Sequence, residues 1–107
     1  MLKLYKRIIL KLSGEALAGD KDGVMYDDET IFSVVDQIKN ILDMGTQVAL
    51  VIGGGNIWRG RSSNEAMDRT KADQIGMLAT VMNAVYVADA FRQRGVKATV
   101  QTPIIVG

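Results

Sequence analysis

From Gln47 the chain reads Gln-Val-Ala-Leu-Val-Ile and then runs into three consecutive glycines, Gly53, Gly54 and Gly55. A short apolar run of β-forming residues that ends in glycine reads as a strand emptying into a loop without side chains. Glycine has no Cβ, so positive φ is open to it and another group can approach the backbone closely. The peptide N–H groups of such a loop can face an anion. Arg59 follows the last glycine by four positions and places a cation nearby. One glycine would suffice for a tight turn. Three at a strand's carboxyl end favour a phosphate cradle.

The rest of the chain supplies the sheet such a strand needs. Arg7-Ile-Ile-Leu-Lys-Leu12 is a second apolar run, stopping at Ser13-Gly14, and reads as a buried parallel strand. Residues 19–24, Gly-Asp-Lys-Asp-Gly-Val, read as a loop. Asp27 is a candidate N-cap, after which Ile31, Val34, Val35, Ile38, Ile41 and Leu42 repeat at helical spacing through Met44, with Gly45 as the stop. Gly60 to Asp68 is polar and reads as a loop. Lys71 to Arg94 reads as a long helix ended by Gly95, and Lys97 to Val106 as a third strand interrupted by Pro103. Strands alternating with helices predict an α/β fold with a mainly parallel sheet and right-handed crossovers. In such sheets ligands bind beyond the carboxyl ends of the strands, where both Ser13-Gly14 and Gly53–Gly55 fall.

The long helix has more apolar surface than one sheet can cover. Ile75, Met77, Leu78, Val81, Met82, Val85, Val87 and Phe91 lie on nearly every side of it. A second apolar face predicts a second buried contact, with a partner subunit or with protein beyond these residues. The chain stops just after the apolar run Ile104-Ile-Val106, and it reads as a fragment of a larger domain.

Its 107 residues are enough for one compact domain. Histidine and cysteine are both absent, which removes disulfides, thiolate chemistry, and the commonest general base and metal ligand. A net charge of +1 gives no global field of the kind DNA- or RNA-binding proteins carry. No apolar run reaches the roughly 18–20 residues of a membrane span. The N-terminus interleaves cations with apolar residues instead of separating them as a signal peptide does, so the expectation is a cytoplasmic protein without membrane contact.

Neither well-known phosphate motif fits. Gly-x-x-x-x-Gly-Lys-Ser/Thr is absent, and no Gly-x-Gly-x-x-Gly follows the first strand. Lys11, two residues before Ser13-Gly14, is either a strand-end lysine reaching water or a cation held for an anionic ligand. The cost of burying an unpartnered ammonium favours the second. Arg59 is either a surface arginine or a phosphate contact, with Arg61 a weaker second. Asp73 either faces the N-terminal dipole of its helix or binds a ligand. Asp20, Asp22, Asp27 and Asp28 read as loop and cap residues, and their spacing demands no metal.

Three strings carry a resemblance: Tyr5-Lys-Arg-Ile-Ile-Leu-Lys-Leu-Ser-Gly-Glu-Ala-Leu17, Val51-Ile-Gly-Gly-Gly-Asn-Ile-Trp-Arg-Gly60 and Ala72-Asp-Gln-Ile-Gly-Met-Leu-Ala-Thr-Val-Met-Asn83. Together they resemble the bacterial uridylate (UMP) kinases, a branch of the amino acid kinase superfamily. The resemblance implies the N-terminal, UMP-side part of a three-layer sandwich with a mainly parallel sheet. It implies transfer of the γ-phosphoryl group of ATP to UMP, giving UDP, with Mg2+ brought in by the nucleotide. Lys11, Leu12, Ser13, Gly14, Gly55 and Arg59 would then meet the ATP phosphates, Lys11 and Arg59 acting in catalysis. Gly54 and Asp73 would bind UMP, Asp73 at the ribose. Gly19, Asp20, Lys21, Asp22, Gly23 and Val24 match a segment tied to GTP activation. The family pattern further implies UTP inhibition and a homo-oligomer, a hexamer at full length. The family enzymes are more than twice this long, so these residues alone are expected to be inactive. Two other readings stay open: a superfamily kinase with another acceptor, and a non-catalytic nucleotide-binding or assembly module.

Overall fold

A computed structural model describes residues 7–19, 21, 23–58 and 66–101. The N-terminal six residues, most of the expected 60–68 loop and residues 102–106 of the expected third strand lie outside them.

Two strands, β1 (Arg7–Leu12) and β2 (Gln47–Ile52), pair in parallel, with Arg7 opposite Gln47 and Leu12 opposite Ile52. Equal lengths in zero-offset register bring the two carboxyl ends level. Side chains of a strand alternate between faces. The even-numbered residues here, Leu10, Leu12, Val48, Leu50 and Ile52, all turn to the helices. The odd-numbered ones, including Ile9 and Val51, are exposed. The expectation of a buried β1 therefore holds for one face only. Among the described residues no helix covers the other, so these residues form two layers, with Ile9 and Val51 where a third would rest.

Two long helices cover the inner face. The first, α2 (Asp28–Asp43), follows a four-residue helix α1 (Gly14–Leu17); the second is α3 (Arg69–Gln93). The core joins Leu17 of α1, Ile31, Val35 and Ile38 of α2, Ile52 of β2, and Val87, Ala90 and Phe91 of α3. Asp27 does hold the N-cap position of α2, but its carboxylate takes the Thr30 hydroxyl and the Lys21 ammonium instead of a helix N–H. Those two partners lower its pKa, the Thr30 hydrogen bond most. Gly45 and Gly95 end the two helices with φ of 88° and 77°, as expected.

The structure differs from the sequence reading at α3. The helix begins at Arg69, two residues before Lys71, because the Asp68 carboxylate accepts the Thr70 N–H at 3.2 Å. By length and composition alone α3 is also long and apolar enough to cross a membrane, although it contains no continuous apolar run of that length. One stripe of it lies against the β2 loop and the sheet. Residues 97–101 pass β2 without pairing, so this part of the expected third strand is not formed. The α3 stop turns the chain here, with Val96 N–H bonded back to Phe91 O at 2.9 Å. A partly open cavity of about 420 Å³ is left between this segment, β2 and the two long helices.

Candidate functional site

The level strand ends bring the two glycine segments together. Gly53 N–H donates to Leu12 O at 3.0 Å and prolongs the ladder by one bond. A Cβ on Gly14 would lie 2.5 Å from Gly55 N and 2.7 Å from Asn56 Oδ1, so the loop after β1 rests directly on the loop after β2. A Cβ on Gly54 would lie 2.9 Å from Ala79 Cβ and 3.1 Å from Thr80 N, so here the loop rests on α3. Real Cβ atoms do not come this close, and these two positions need glycine for the approach itself.

This narrows the cradle expected from the sequence. The three glycines do not offer three equivalent amides, because that of Gly53 belongs to the sheet. Over Gly55 lies the Glu15 carboxylate, with Oε1 2.1 Å from where a Cβ would be. An acidic side chain at this mouth opposes an anion there, so nearby cations must outweigh it.

The face of α3 toward the loop consists of small residues at helical spacing: Ala72, Gly76, Ala79 and Asn83. Trp58 donates its indole N–H to Ala72 O at 3.1 Å and packs against Gly76. Ile57 and Trp58 N–H both bond Gly54 O at 3.0 Å, which closes the loop into a tight turn. Asn83, with none of its surface exposed, is the buried polar side chain of the described residues. It donates to Gly53 O at 2.8 Å and to Asn56 Oδ1 at 2.6 Å, and accepts from the Tyr26 hydroxyl at 2.7 Å. Asn56 returns a bond to Asn83 Oδ1 at 3.3 Å and donates to Met25 O at 2.9 Å. The orientation of both amides follows from their neighbours: backbone carbonyls only accept, so each must meet an NH2 group. Tyr26 stacks on Tyr86, with ring centroids 3.8 Å apart, and Tyr86 donates to Asp28.

The sequence-derived candidates are placed as follows. Leu12, Ser13, Gly14, Gly54 and Gly55 converge at the two mouths. Lys11 is the penultimate residue of β1, paired in register with Val51, and it is exposed on the open sheet face. Its ammonium is therefore not buried, contrary to expectation, and it lies one residue from the mouth. Ser13 caps α1, its Oγ accepting the Ala16 N–H at 3.2 Å, and its hydroxyl hydrogen can still be donated. Asp73 is exposed in the second turn of α3, beside the Ala72 carbonyl that holds Trp58. The residue at the helix N-terminus is Asp68, so the dipole reading of Asp73 loses its basis. Arg59 and Arg61 lie outside the described residues, as do Asp20 and Asp22 of the 19–24 loop. In that loop Lys21 pairs with Asp27 at 3.1 Å, and the chain turns at Gly19 and Gly23 with Val24 N–H bonded to Lys21 O at 3.4 Å.

Glu15, Tyr26, Asn56, Trp58 and Asn83 were not singled out from the sequence as site residues. A usable signal existed for Asn83: it falls on the small-residue stripe of α3, one of whose positions thus carries a carboxamide. No three carboxylates come together as a metal site among the described residues.

Comparison with known proteins agrees with this fold. The Amino acid kinase family model matches residues 6–106. Uridylate kinases of two Streptococcus thermophilus strains are each 54% identical over 101 residues, which is 94% of this chain and 41% of theirs. The chain thus spans about two fifths of the length of these curated relatives. A solved UMP kinase from Bacillus anthracis superposes with a TM-score of 0.79 at 39% identity, covering 86% of this chain and 38% of that one. The UMP kinase from Ureaplasma parvum gives 0.78 at 38% identity over 86% of this chain and 40% of its own. The expected α/β fold is the fold of these structures. With a match over nearly its whole length and two parallel strands opening on facing glycine segments, this chain belongs to the amino acid kinase family.

Proposed function

We propose that the protein to which these residues belong transfers the γ-phosphoryl group of ATP to UMP, and that this chain carries the acceptor side of the site. The observation that carries the reading is the contact of Gly14 with Gly55 and Asn56, which sets the two glycine-lined strand mouths side by side. Their similarity to chains named uridylate kinase supports the choice of acceptor.

In this reading a UMP phosphate oxygen forms the new bond to the γ-phosphorus, the bond to the β–γ bridging oxygen breaks, and ADP leaves. The attacking oxygen is already ionised near neutral pH, so a chain without histidine suits the chemistry. Alignment and charge matching carry such a transfer. Ser13, Gly14 and Gly55 line the donor side, Gly54 and Asp73 the acceptor side, and Lys11 and Arg59 supply positive charge against both the phosphates and Glu15. Mg2+ enters on the nucleotide. GTP activation through residues 19–24, UTP inhibition, a cytoplasmic setting and a homo-oligomer, hexameric at full length, complete the proposal. The exposed apolar row Met77, Leu78, Met82 and Val85 on α3 supports the oligomer.

The test is an ADP-release assay on the full-length protein against a panel of acceptors: UMP, other nucleoside monophosphates, carboxylates, carbamate and isopentenyl phosphate. UMP-selective turnover is expected, with none from the 107 residues alone. Turnover with another acceptor reassigns the substrate, and UMP binding without transfer by the full-length protein favours a non-catalytic module.

A further inference from the structure

The Asn56–Asn83 amide pair touches every segment that meets at the strand mouths. Asn83 stands on α3 and bonds Gly53 O; Asn56 lies over Gly14, reaches Met25 O and pairs with Asn83, which also takes the Tyr26 hydroxyl. We propose that Asn83 is a positioning residue: through Gly53 and Asn56 it fixes the spacing between Ser13–Gly14 and Gly53–Gly55, and ties it to the Met25–Tyr26 segment. The inference rests on the reading that these mouths hold the donor and acceptor phosphates.

The side-chain chemistry singles out a carboxamide. The position needs donors toward Gly53 O and Asn56 Oδ1 and an acceptor toward the Tyr26 hydroxyl, all from one buried group. Asparagine offers both kinds; aspartate has no donor and leucine neither. Packing alone does not call for it, since the same stripe of α3 uses alanine at 72 and 79. A buried amide is costly unless satisfied, and here its partners lie on separate segments. A shift of any one of them breaks a bond to the others, so the network holds the mouths at one separation. In-line transfer requires such a fixed separation of donor and acceptor. The Met25–Tyr26 segment follows the 19–24 loop and is anchored by Asp27 N–H to Leu17 O at 2.6 Å. A displacement there is passed to Gly53 through two side chains.

Asn83→Asp keeps the shape and the acceptors, removes both donors, and sets a carboxylate against the Gly53 carbonyl. Amide hydrogen exchange followed residue by residue in the full chain tests the proposal. Exchange at Ile57 and Trp58, whose N–H groups close the loop onto Gly54, should accelerate about tenfold or more, while Val35 and Ile38 in α2 stay unchanged. The dissociation constant for uridine monophosphate should rise about tenfold. Tyr26→Phe removes one donor, keeps the stacking on Tyr86, and should give a smaller effect of the same pattern. It decides the matter by the same loop-to-core ratio if Asn83→Asp does not fold. Unchanged loop exchange, or equal acceleration in α2, overturns the positioning role while leaving the UMP reading intact. Loop exchange released by the variants, with no uridine monophosphate bound by any form including the parent, sinks the UMP reading and upholds the positioning role.

Discussion

Gly54 and Lys11 show how differently two neighbouring candidates depend on their surroundings. At Gly54 the demand is steric. Replacing it with alanine forces a methyl group into Ala79 and the Thr80 amide. Overpacking of this kind costs roughly 1–3 kcal/mol, so Gly54→Ala should lower the midpoint of urea unfolding and weaken UMP binding together. At Lys11 the demand is electrostatic. The side chain is exposed on the open sheet face, so Lys11→Ala should leave the unfolding midpoint nearly unchanged. On the proposed kinase reading, Lys11→Ala in the full-length protein should reduce turnover roughly 10²–10³-fold, with a much smaller change in the UMP Michaelis constant. Steady-state kinetics separates the two effects; turnover within a factor of a few of the parent would remove Lys11 from catalysis. The sequence made the glycines legible as a group but not their division of labour, because each is defined by a different distant neighbour: Leu12 for Gly53, Ala79 for Gly54, Glu15 for Gly55. Asn83 was hidden for the same reason, since its partners are remote in sequence.

Elements whose signals are local were read well. Both strands and α2 match the expected bounds closely, since alternation, periodicity and the terminal glycine lie within each segment. The start of α3 was misplaced because one carboxylate, not apolar periodicity, sets it. That gives a direct check: Asp68→Ala should destabilise the protein by about 0.5–2 kcal/mol and fray the first turn, seen as lost amide protection near Ala72. Trp58 would lose its fixed partner in the same variant. The four-residue α1 was too short to register as a pattern, and residues 97–101 failed as a strand although their composition suited one. Neither strand formation nor its absence is decided by residues 97–101 alone; it requires a neighbouring edge in the right place.

For the molecule as a whole, pH and association give the clearest expectations. The Tyr86 hydroxyl, donating to Asp28, has its pKa pushed up to about 12, the hydrogen bond contributing most. The folded state therefore holds this proton more tightly than the unfolded chain, whose tyrosines titrate near about 10. The stabilisation is complete below about pH 10 and drains away as pH rises toward 12. Tyr86→Phe should flatten that alkaline limb, as measured by unfolding at a series of pH values. At the acid end the signs reverse: Asp27 and Asp89 have lowered pKa values through their hydrogen bonds to Thr30 and Arg92. Their contribution is complete above the ordinary carboxylate range and is lost as pH falls through that range toward their lowered folded-state values. Association should follow the apolar row on α3. Replacing Leu78 and Met82, 50% and 53% exposed, with lysine should shift sedimentation toward smaller species without lowering the melting temperature. An unchanged distribution would remove this row of α3 as an association surface.

The hydrogen bond from the Trp58 indole to Ala72 O has a practical side. This is the chain's one tryptophan, and it sits on the glycine loop, bonded to a residue of α3 adjacent to Asp73. Its emission thus reports on a single place, without dye or label. A nucleotide that reorders the loop changes the polarity around one indole, and the colour of its fluorescence becomes a titration signal for occupancy even when no phosphoryl group moves.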